Sequence, residues 1–164
     1  MDVNKVQIRG TSAAQRALEL VKPQLEQVEQ TLLNLPNIQP PDLHNAVQAI
    51  VRSGGKRLRP TVALLIAAMF DKLNRRAVDL ASAIEMLHTA TLVHDDLIDG
   101  SLMRRGTSTL NAAWTPAATV LTGDYLFAFA AGLAARTDNA RVIRVFAETL
   151  GIIVAGELRQ QFTD

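Results

Sequence analysis

Apolar residues recur at intervals of three and four along nearly the whole chain, and proline and glycine divide this pattern into segments of helical length. Such spacing places apolar side chains on one face of an α-helix. The first segment shows it in Leu18, Val21, Leu25, Val28 and Leu32. No stretch alternates convincingly with period two, so strands are not indicated. The pattern predicts an all-α fold, and 164 residues suffice for one domain.

Capping residues and helix breakers define the expected segments. Thr11 or Ser12, Asn74 and Asp138 are the expected N-caps. Pro60 and Pro116 lie in the first turns of their helices, where proline is tolerated. The expected helices cover about residues 12–35, 42–52, 60–70, 74–99, 107–114, 116–136 and 138–164. A basic loop, 100–106, separates the fourth from the fifth.

Composition excludes several classes of protein. There is no cysteine, which rules out disulfides, a thiol nucleophile and thiolate metal sites. With 17 basic and 16 acidic residues, a globally basic nucleic-acid binder is not expected. The N-terminus lacks the apolar core of a secretory signal, and the apolar runs 62–70 and 126–135 are shorter than a spanning helix needs. We expect a cytoplasmic protein that does not span a membrane.

An acidic cluster ends the fourth helix, in the segment from His88 to Asp99. Asp95 and Asp99 are four residues apart and share a helix face, with Asp96 beside them. Carboxylates at this spacing repel each other, and Mg²⁺ shared with a diphosphate would relieve the repulsion. The alternative is a solvated helix end whose charges pair with Arg104 and Arg105.

Two basic clusters accompany the acidic one. Gly54-Gly55-Lys56-Arg57-Leu58-Arg59 precedes a helix, follows Arg52, and combines glycines with three cations. Glycine lets the backbone approach a ligand closely, and lysine and arginine bind phosphate. Arg104-Arg105 follows the acidic cluster after a short loop. Each cluster alone is also explained as an exposed turn with solvated charges. Together they predict a Mg²⁺ site for one diphosphate and a basic pocket for another.

At these positions the chain resembles the trans-isoprenyl diphosphate synthases, also called the polyprenyl synthetase family. The matching segments are 54–60, His88, 95–99, 104–106, Gly123-Asp124 and Gly156-Glu157-Leu158-Arg159-Gln160. The resemblance implies an isoprenoid-synthase-type helical bundle, a homodimer and dependence on Mg²⁺. It also implies head-to-tail condensation of isopentenyl diphosphate with an allylic prenyl diphosphate.

The resemblance assigns roles residue by residue. Asp95 and Asp99 would hold Mg²⁺ on the allylic diphosphate, with Asp96 assisting and Arg104 contacting that diphosphate. The expected ligands of isopentenyl diphosphate are Lys56, Arg59, His88 and Arg105, with Arg57 nearby. Gln160 matches a polar position that faces the site.

Residues just before the first aspartate-rich motif form part of the product pocket in this family. Here they are Ala90 and Thr91, both small. They predict a product longer than farnesyl, with geranylgeranyl as the near alternative. Phe127, Phe129 or Phe146 would shorten the product if they closed the pocket from another side.

Members of this family continue through a second aspartate-rich motif, which does not occur in this sequence. We therefore expect residues 1–164 to be a single all-helical domain that ends before that motif, the N-terminal half of a synthase. Alone, the chain should bind Mg²⁺–diphosphate weakly and turn over poorly or not at all.

Three other interpretations remain. A helical His-Asp metal phosphohydrolase would use His94-Asp95, with His44, His88 and Asp124 as further ligands. A terpene cyclase would share the aspartate motif but needs no site for isopentenyl diphosphate. A non-catalytic partner subunit of a full-length synthase would not need intact metal ligands. Outside the phosphohydrolase interpretation, we expect Asp124 to be a buried, hydrogen-bonded aspartate.

Overall fold

The structure, a computed structural model, describes residues 12–36, 40–53, 55–104 and 106–163. Within these ranges it contains seven helices and one short hairpin. The helices are α1 (Ala13–Leu33), α2 (Pro41–Ser53), α3 (Leu58–Met69), α4 (Arg75–Ile98), α5 (Leu110–Ala113), α6 (Pro116–Ala135) and α7 (Ala140–Phe162). The strands are β1 (Met103–Arg104) and β2 (Thr107–Ser108). The prediction of an all-α fold is confirmed.

Two of the expected N-caps are confirmed, and one is wrong. The Ser12 hydroxyl accepts a hydrogen bond from the backbone N–H of Gln15, whose side chain accepts one from the Ser12 N–H. Asn74 caps α4. The cap of α7 is Asn139 rather than Asp138, because Asp138 has a positive φ of 51° and stands one residue too early. Thr11, the alternative first cap, lies outside the described residues.

The basic loop contains the strands that the sequence did not indicate. Met103 pairs with Ser108 and Arg104 with Thr107 in an antiparallel ladder. Two residues per strand are too few to show alternation in the sequence. Since residues 107 and 108 belong to this hairpin, the short helix expected at 107–114 is only Leu110–Ala113.

Helix α4 lies at the centre of the packing. It packs most extensively along α6, and it also contacts α1 and α3. The largest fully buried side chains come from five of the helices: Val21, Val28, Leu32, Val47, Val51, Leu64, Val78, Met86, Leu126 and Leu133. Helix α7 differs, because none of its residues is buried. The core therefore forms around α4, with α7 at its edge.

Helix α6 is long and apolar enough to cross a membrane by length and composition alone, with a mean hydropathy of 1.4. Core helices of other proteins have the same properties. Here Thr119, Gly123, Leu126 and Ala130 are buried in the fold. The absence of a spanning segment stays a prediction.

Candidate active site

The three aspartates at the end of α4 occupy different environments. Asp96 is buried, Asp95 is half-buried, and Asp99 is exposed at the C-cap. Successive helical residues point about 100° apart, so Asp96 faces away from Asp95. The end of α4 therefore presents carboxylates to two sides of the helix.

On one side lies a cavity of about 450 Å³, which we call the basic cavity. Its lining brings together six residues that the sequence nominated for the site: Lys56, Arg57, Arg59, His88, Asp96 and Arg104. Glu85, Thr89, Leu92 and Val93 complete the α4 wall. Arg104 and the cations of residues 56–59, which are at least 45 positions apart in the chain, thus line one cavity. Arg105 and Gly54 lie outside the described residues.

Arg104 is fixed in this cavity by Asp96. Its Nε donates a hydrogen bond to Asp96 Oδ1 at 2.7 Å. Charge-assisted bonds of this kind are shorter and stronger than neutral ones. The contact attaches β1 to the last turn of α4, and it leaves the guanidinium nitrogens of Arg104 beyond Nε for a ligand.

Arg57 is held by protein groups. Its guanidinium donates to both carboxylate oxygens of Glu29, to Glu85 Oε1 at 3.1 Å and to the Val51 carbonyl at 2.6 Å. Burial disfavours its charged form, but Glu29 and Glu85 outweigh that effect and hold the pKa of Arg57 above its usual value. Its expected contact with substrate stays a prediction.

On the other side of α4, an apolar groove of about 200 Å³ runs between α4, α6 and α7. Its lining includes Thr91, Asp95, Phe127, Ile153 and Leu158. Ala90, the other expected pocket residue, is fully buried beside it in the core. Phe129 and Phe146 pack against the core and do not line the groove.

The surroundings of Asp95 disfavour its charged form. Burial raises its pKa above the usual range, and the negative charges of Glu157, Asp99 and Asp96 add to the rise, while Arg104 opposes it. A carboxylate under this strain gains most from a cation. Asp99 lies in neither lining, and Gln160 is exposed, with Gln161 in the groove instead.

Glu157 is a site residue that the sequence reasoning did not assign. It lies on α7 and lines the groove. Of the neighbouring charges, it raises the pKa of Asp95 the most. The available signal was an acidic residue on the same helix face as Ile153 and Val154, within a segment already noted as matching the family.

His94 packs against α6 beneath the groove. Its Nε2 lies 3.1 Å from the Val120 carbonyl oxygen and 3.5 Å from Asp124 Oδ1, and its ring contacts Phe127. The prediction that Asp124 is buried is wrong, since its side chain is 59% exposed. A Cβ on Gly123 would lie 2.6 Å from His94 Cδ2, so a larger residue there would force the His94 ring or α6 to move.

Among the described residues, no group of three or more histidine, aspartate or glutamate side chains is arranged to hold a metal ion by itself. Asp95 and Asp99 nevertheless supply the oxygen donors that Mg²⁺ prefers, and Mg²⁺ commonly takes one or two carboxylates together with waters and phosphate oxygens. The donor set fits such a metal ion.

Solved structures and curated sequences resemble this chain over most of its length. A decaprenyl diphosphate synthase from Rhodobacter capsulatus superposes with a TM-score of 0.82 at 34% identity, over 89% of this chain and 45% of that one. A polyprenyl synthase from Caulobacter crescentus, crystallised with calcium and isoprenyl diphosphate, superposes with a TM-score of 0.81 at 32% identity. The match covers 94% of this chain and 47% of that one.

The octaprenyl diphosphate synthase of Haemophilus influenzae is 34% identical over 142 residues, which are 87% of this chain and 43% of that protein. The chain thus spans less than half the length of these relatives. The sequence profile of the polyprenyl synthetase family matches residues 40–164. This match covers most of the chain, and the chain belongs to the polyprenyl synthetase family.

Proposed function

We propose that this chain carries the substrate-binding face of a trans-prenyltransferase. The enzyme condenses isopentenyl diphosphate head-to-tail with an allylic diphosphate and makes a product longer than farnesyl. The observation that carries the proposal is the arrangement around the end of α4. A cationic cavity lies on one side of it, and an apolar groove headed by Asp95 lies on the other.

The basic cavity is the proposed site for isopentenyl diphosphate. Lys56 and Arg59 are exposed, and both line the cavity with His88. Lysine and arginine supply charge and hydrogen bonds to phosphate oxygens. Arg105, the residue after Arg104 in the sequence, is proposed to join them. These cations position the homoallylic double bond beside the end of α4.

Asp95 and Asp99 are the proposed ligands of Mg²⁺ on the allylic diphosphate. The raised pKa of Asp95 supports this role, because a carboxylate that is partly buried and lies near the charges of Glu157 and Asp99 favours a cation. When bound, Mg²⁺ neutralises negative charge on the departing diphosphate. Arg104, held in place by Asp96, donates hydrogen bonds to the same leaving group.

The apolar groove is the proposed site of the growing prenyl chain. Ile153, Val154, Leu158 and Phe127 offer hydrocarbon walls that exclude water from a reactive carbocation. Thr91, one turn before Asp95, leaves space below the diphosphate. The names of the relatives, octaprenyl and decaprenyl diphosphate synthases, support a long product.

Calorimetric titration of the 164-residue chain tests the assignment of the two sites. Farnesyl diphosphate should bind only with Mg²⁺, and Asp95→Asn should abolish that binding. Isopentenyl diphosphate should bind without metal, and Lys56→Met should weaken it. Each variant is the control for the other ligand. Metal-dependent release of phosphate without isopentenyl diphosphate would contradict the proposal and favour the phosphohydrolase.

An assay with Mg²⁺, isopentenyl diphosphate and either geranyl or farnesyl diphosphate tests the reaction. We expect poor turnover from this chain alone, and any product to be longer than farnesyl. We also propose that the protein is cytoplasmic and that it forms a homodimer. Analytical ultracentrifugation would detect the dimer. Co-purification with a longer synthase chain, in place of self-association, would favour the partner-subunit alternative.

A further inference from the structure

We propose that Arg57 is a positioning residue and not a phosphate ligand. It fixes the segment that carries Lys56 and Arg59 by tying residue 57 to four helices. What Lys56 and Arg59 bind rests on the proposed function, whereas the contacts of Arg57 do not depend on it.

The side chain of Arg57 joins three helices. The side chain is 11% exposed, and its guanidinium reaches Glu29 on α1, the Val51 carbonyl at 2.6 Å on α2 and Glu85 Oε1 at 3.1 Å on α4. A guanidinium has five N–H donors. The four hydrogen bonds to these groups leave at most one donor for a ligand.

The backbone of Arg57 joins the fourth helix. Its carbonyl oxygen accepts hydrogen bonds from the backbone N–H of Thr61 at 3.1 Å and from the Thr61 hydroxyl at 2.7 Å, in the first turns of α3. Its φ is +49°, a left-handed conformation that is unfavourable for a residue with a Cβ. Such a conformation persists where surrounding contacts enforce it, and here the contacts of both the side chain and the carbonyl do so.

The charges divide the basic segment into two functions. Glu29 and Glu85 neutralise Arg57, so its cation adds little to the attraction of an anion into the cavity. Lys56 and Arg59, one and two residues away, are exposed on the cavity lining. Glu85 Oε2 is buried and has no hydrogen-bond partner among the described residues. The Glu85 carboxylate therefore depends on Arg57 for its compensation.

Glu29→Gln separates the two roles by the sign of its effect. If Arg57 bound phosphate, removing a competing carboxylate would release the guanidinium and strengthen binding of isopentenyl diphosphate. If Arg57 positions its neighbours, the same change loosens the segment and weakens binding, by about tenfold for the loss of one charge-assisted contact. Glu26→Gln is the matched control, because it removes an exposed charge from the same helix.

Arg57→Lys is the second variant. Lysine keeps the charge but cannot bridge three acceptors. We expect it to weaken binding as much as Glu29→Gln does, whereas a lysine in a phosphate-ligand role would keep most of the affinity. Titration of the 164-residue chain with isopentenyl diphosphate, without metal, measures all four proteins.

Hydrogen exchange of the backbone amides at 55–59 and 61 provides a readout that needs no ligand. Both Glu29→Gln and Arg57→Lys should accelerate exchange there, and Glu26→Gln should not. Unchanged exchange in both variants overturns the proposal whatever the binding result, and so does tighter binding by Glu29→Gln. If the unmodified chain binds no isopentenyl diphosphate, the proposed function fails, and exchange alone decides the role of Arg57.

Discussion

The two sides of α4 differ in how tightly the other helices of this chain pack against them. Toward α1 and α3, Leu64 and Met86 are fully buried, and Arg57 joins four helices behind the basic cavity. Toward α7, the groove beside Asp95 has a wall in which no residue is buried. The difference indicates that the cationic half of the site is rigid in this chain, while the groove wall is held by few contacts.

The largest difference should come from two leucines. Leu64→Ala removes a side chain that is 0% exposed and should lower the free energy of unfolding by about 3 kcal/mol, because it leaves a cavity. Leu158→Ala, on α7 and 54% exposed, should change it by less than about 0.5 kcal/mol. Urea denaturation measures both. Equal losses would mean that α7 is packed as firmly as α3.

Gly123 tests the one tight contact on the groove side. Gly123→Ala would force a methyl against the His94 ring and should cost about 2 kcal/mol of unfolding free energy. Gly132→Ala on the same helix meets nothing within 4 Å and should gain up to about 1 kcal/mol. Thermal unfolding compares them. A tolerated alanine at position 123 would show that the His94 ring can move aside without loss of stability.

Asp96 is paired with Arg104, whereas Asp99 is exposed to solvent, so replacing each in turn compares a paired carboxylate with a solvated one. Asp96→Asn weakens the 2.7 Å bond to Arg104 and should cost about 1 kcal/mol, a figure reduced for the partial exposure of Arg104. Asp99→Asn should leave the metal-free stability nearly unchanged. Chemical denaturation in 1 M salt is the check, since an exposed pair would lose its effect there and a buried one would keep it.

The smallest expected effect is a stabilisation by Asp95→Asn. The pKa of Asp95 is raised, so the native carboxyl holds its proton more tightly than the unfolded one does. The resulting penalty is absent below the unfolded pKa and grows as pH rises through the native pKa. The free energy of unfolding of the variant should therefore rise relative to that of the unmodified chain as the pH increases from about 3 to about 7. A constant difference across that range would show that the charge of Asp95 is not the cause.

Local signals predicted local structure well. Asn74 and Ser12 cap their helices as expected, because a cap depends on residues two or three positions away. The same logic placed the cap of α7 one residue early, since Asp138 and Asn139 are both good caps in sequence. The family resemblance was equally sound, because its motifs are short segments.

Contacts between distant segments were beyond local reasoning. Arg57 pairs with Glu29 and Glu85, each 28 positions away, and nothing in the basic segment distinguishes this cation from Lys56 or Arg59. Glu157 acts on Asp95 only because α7 folds back beside α4. Asp124 looked buried because its neighbours are apolar, but its side chain is 59% exposed beside His94 of α4.

The glycine at position 123 also sets the lengthwise register of α4 against α6. Its missing side chain lets the Nε2 edge of the His94 imidazole approach the α6 backbone. His94 directly precedes Asp95, and Gly123 lies one turn before Phe127. The positions of Asp95 and Phe127 along their helices are therefore both set by the contact between His94 and Gly123. A different side chain at position 127 would change the depth of the groove, but the distance from the His94–Gly123 contact to Asp95 would stay constant.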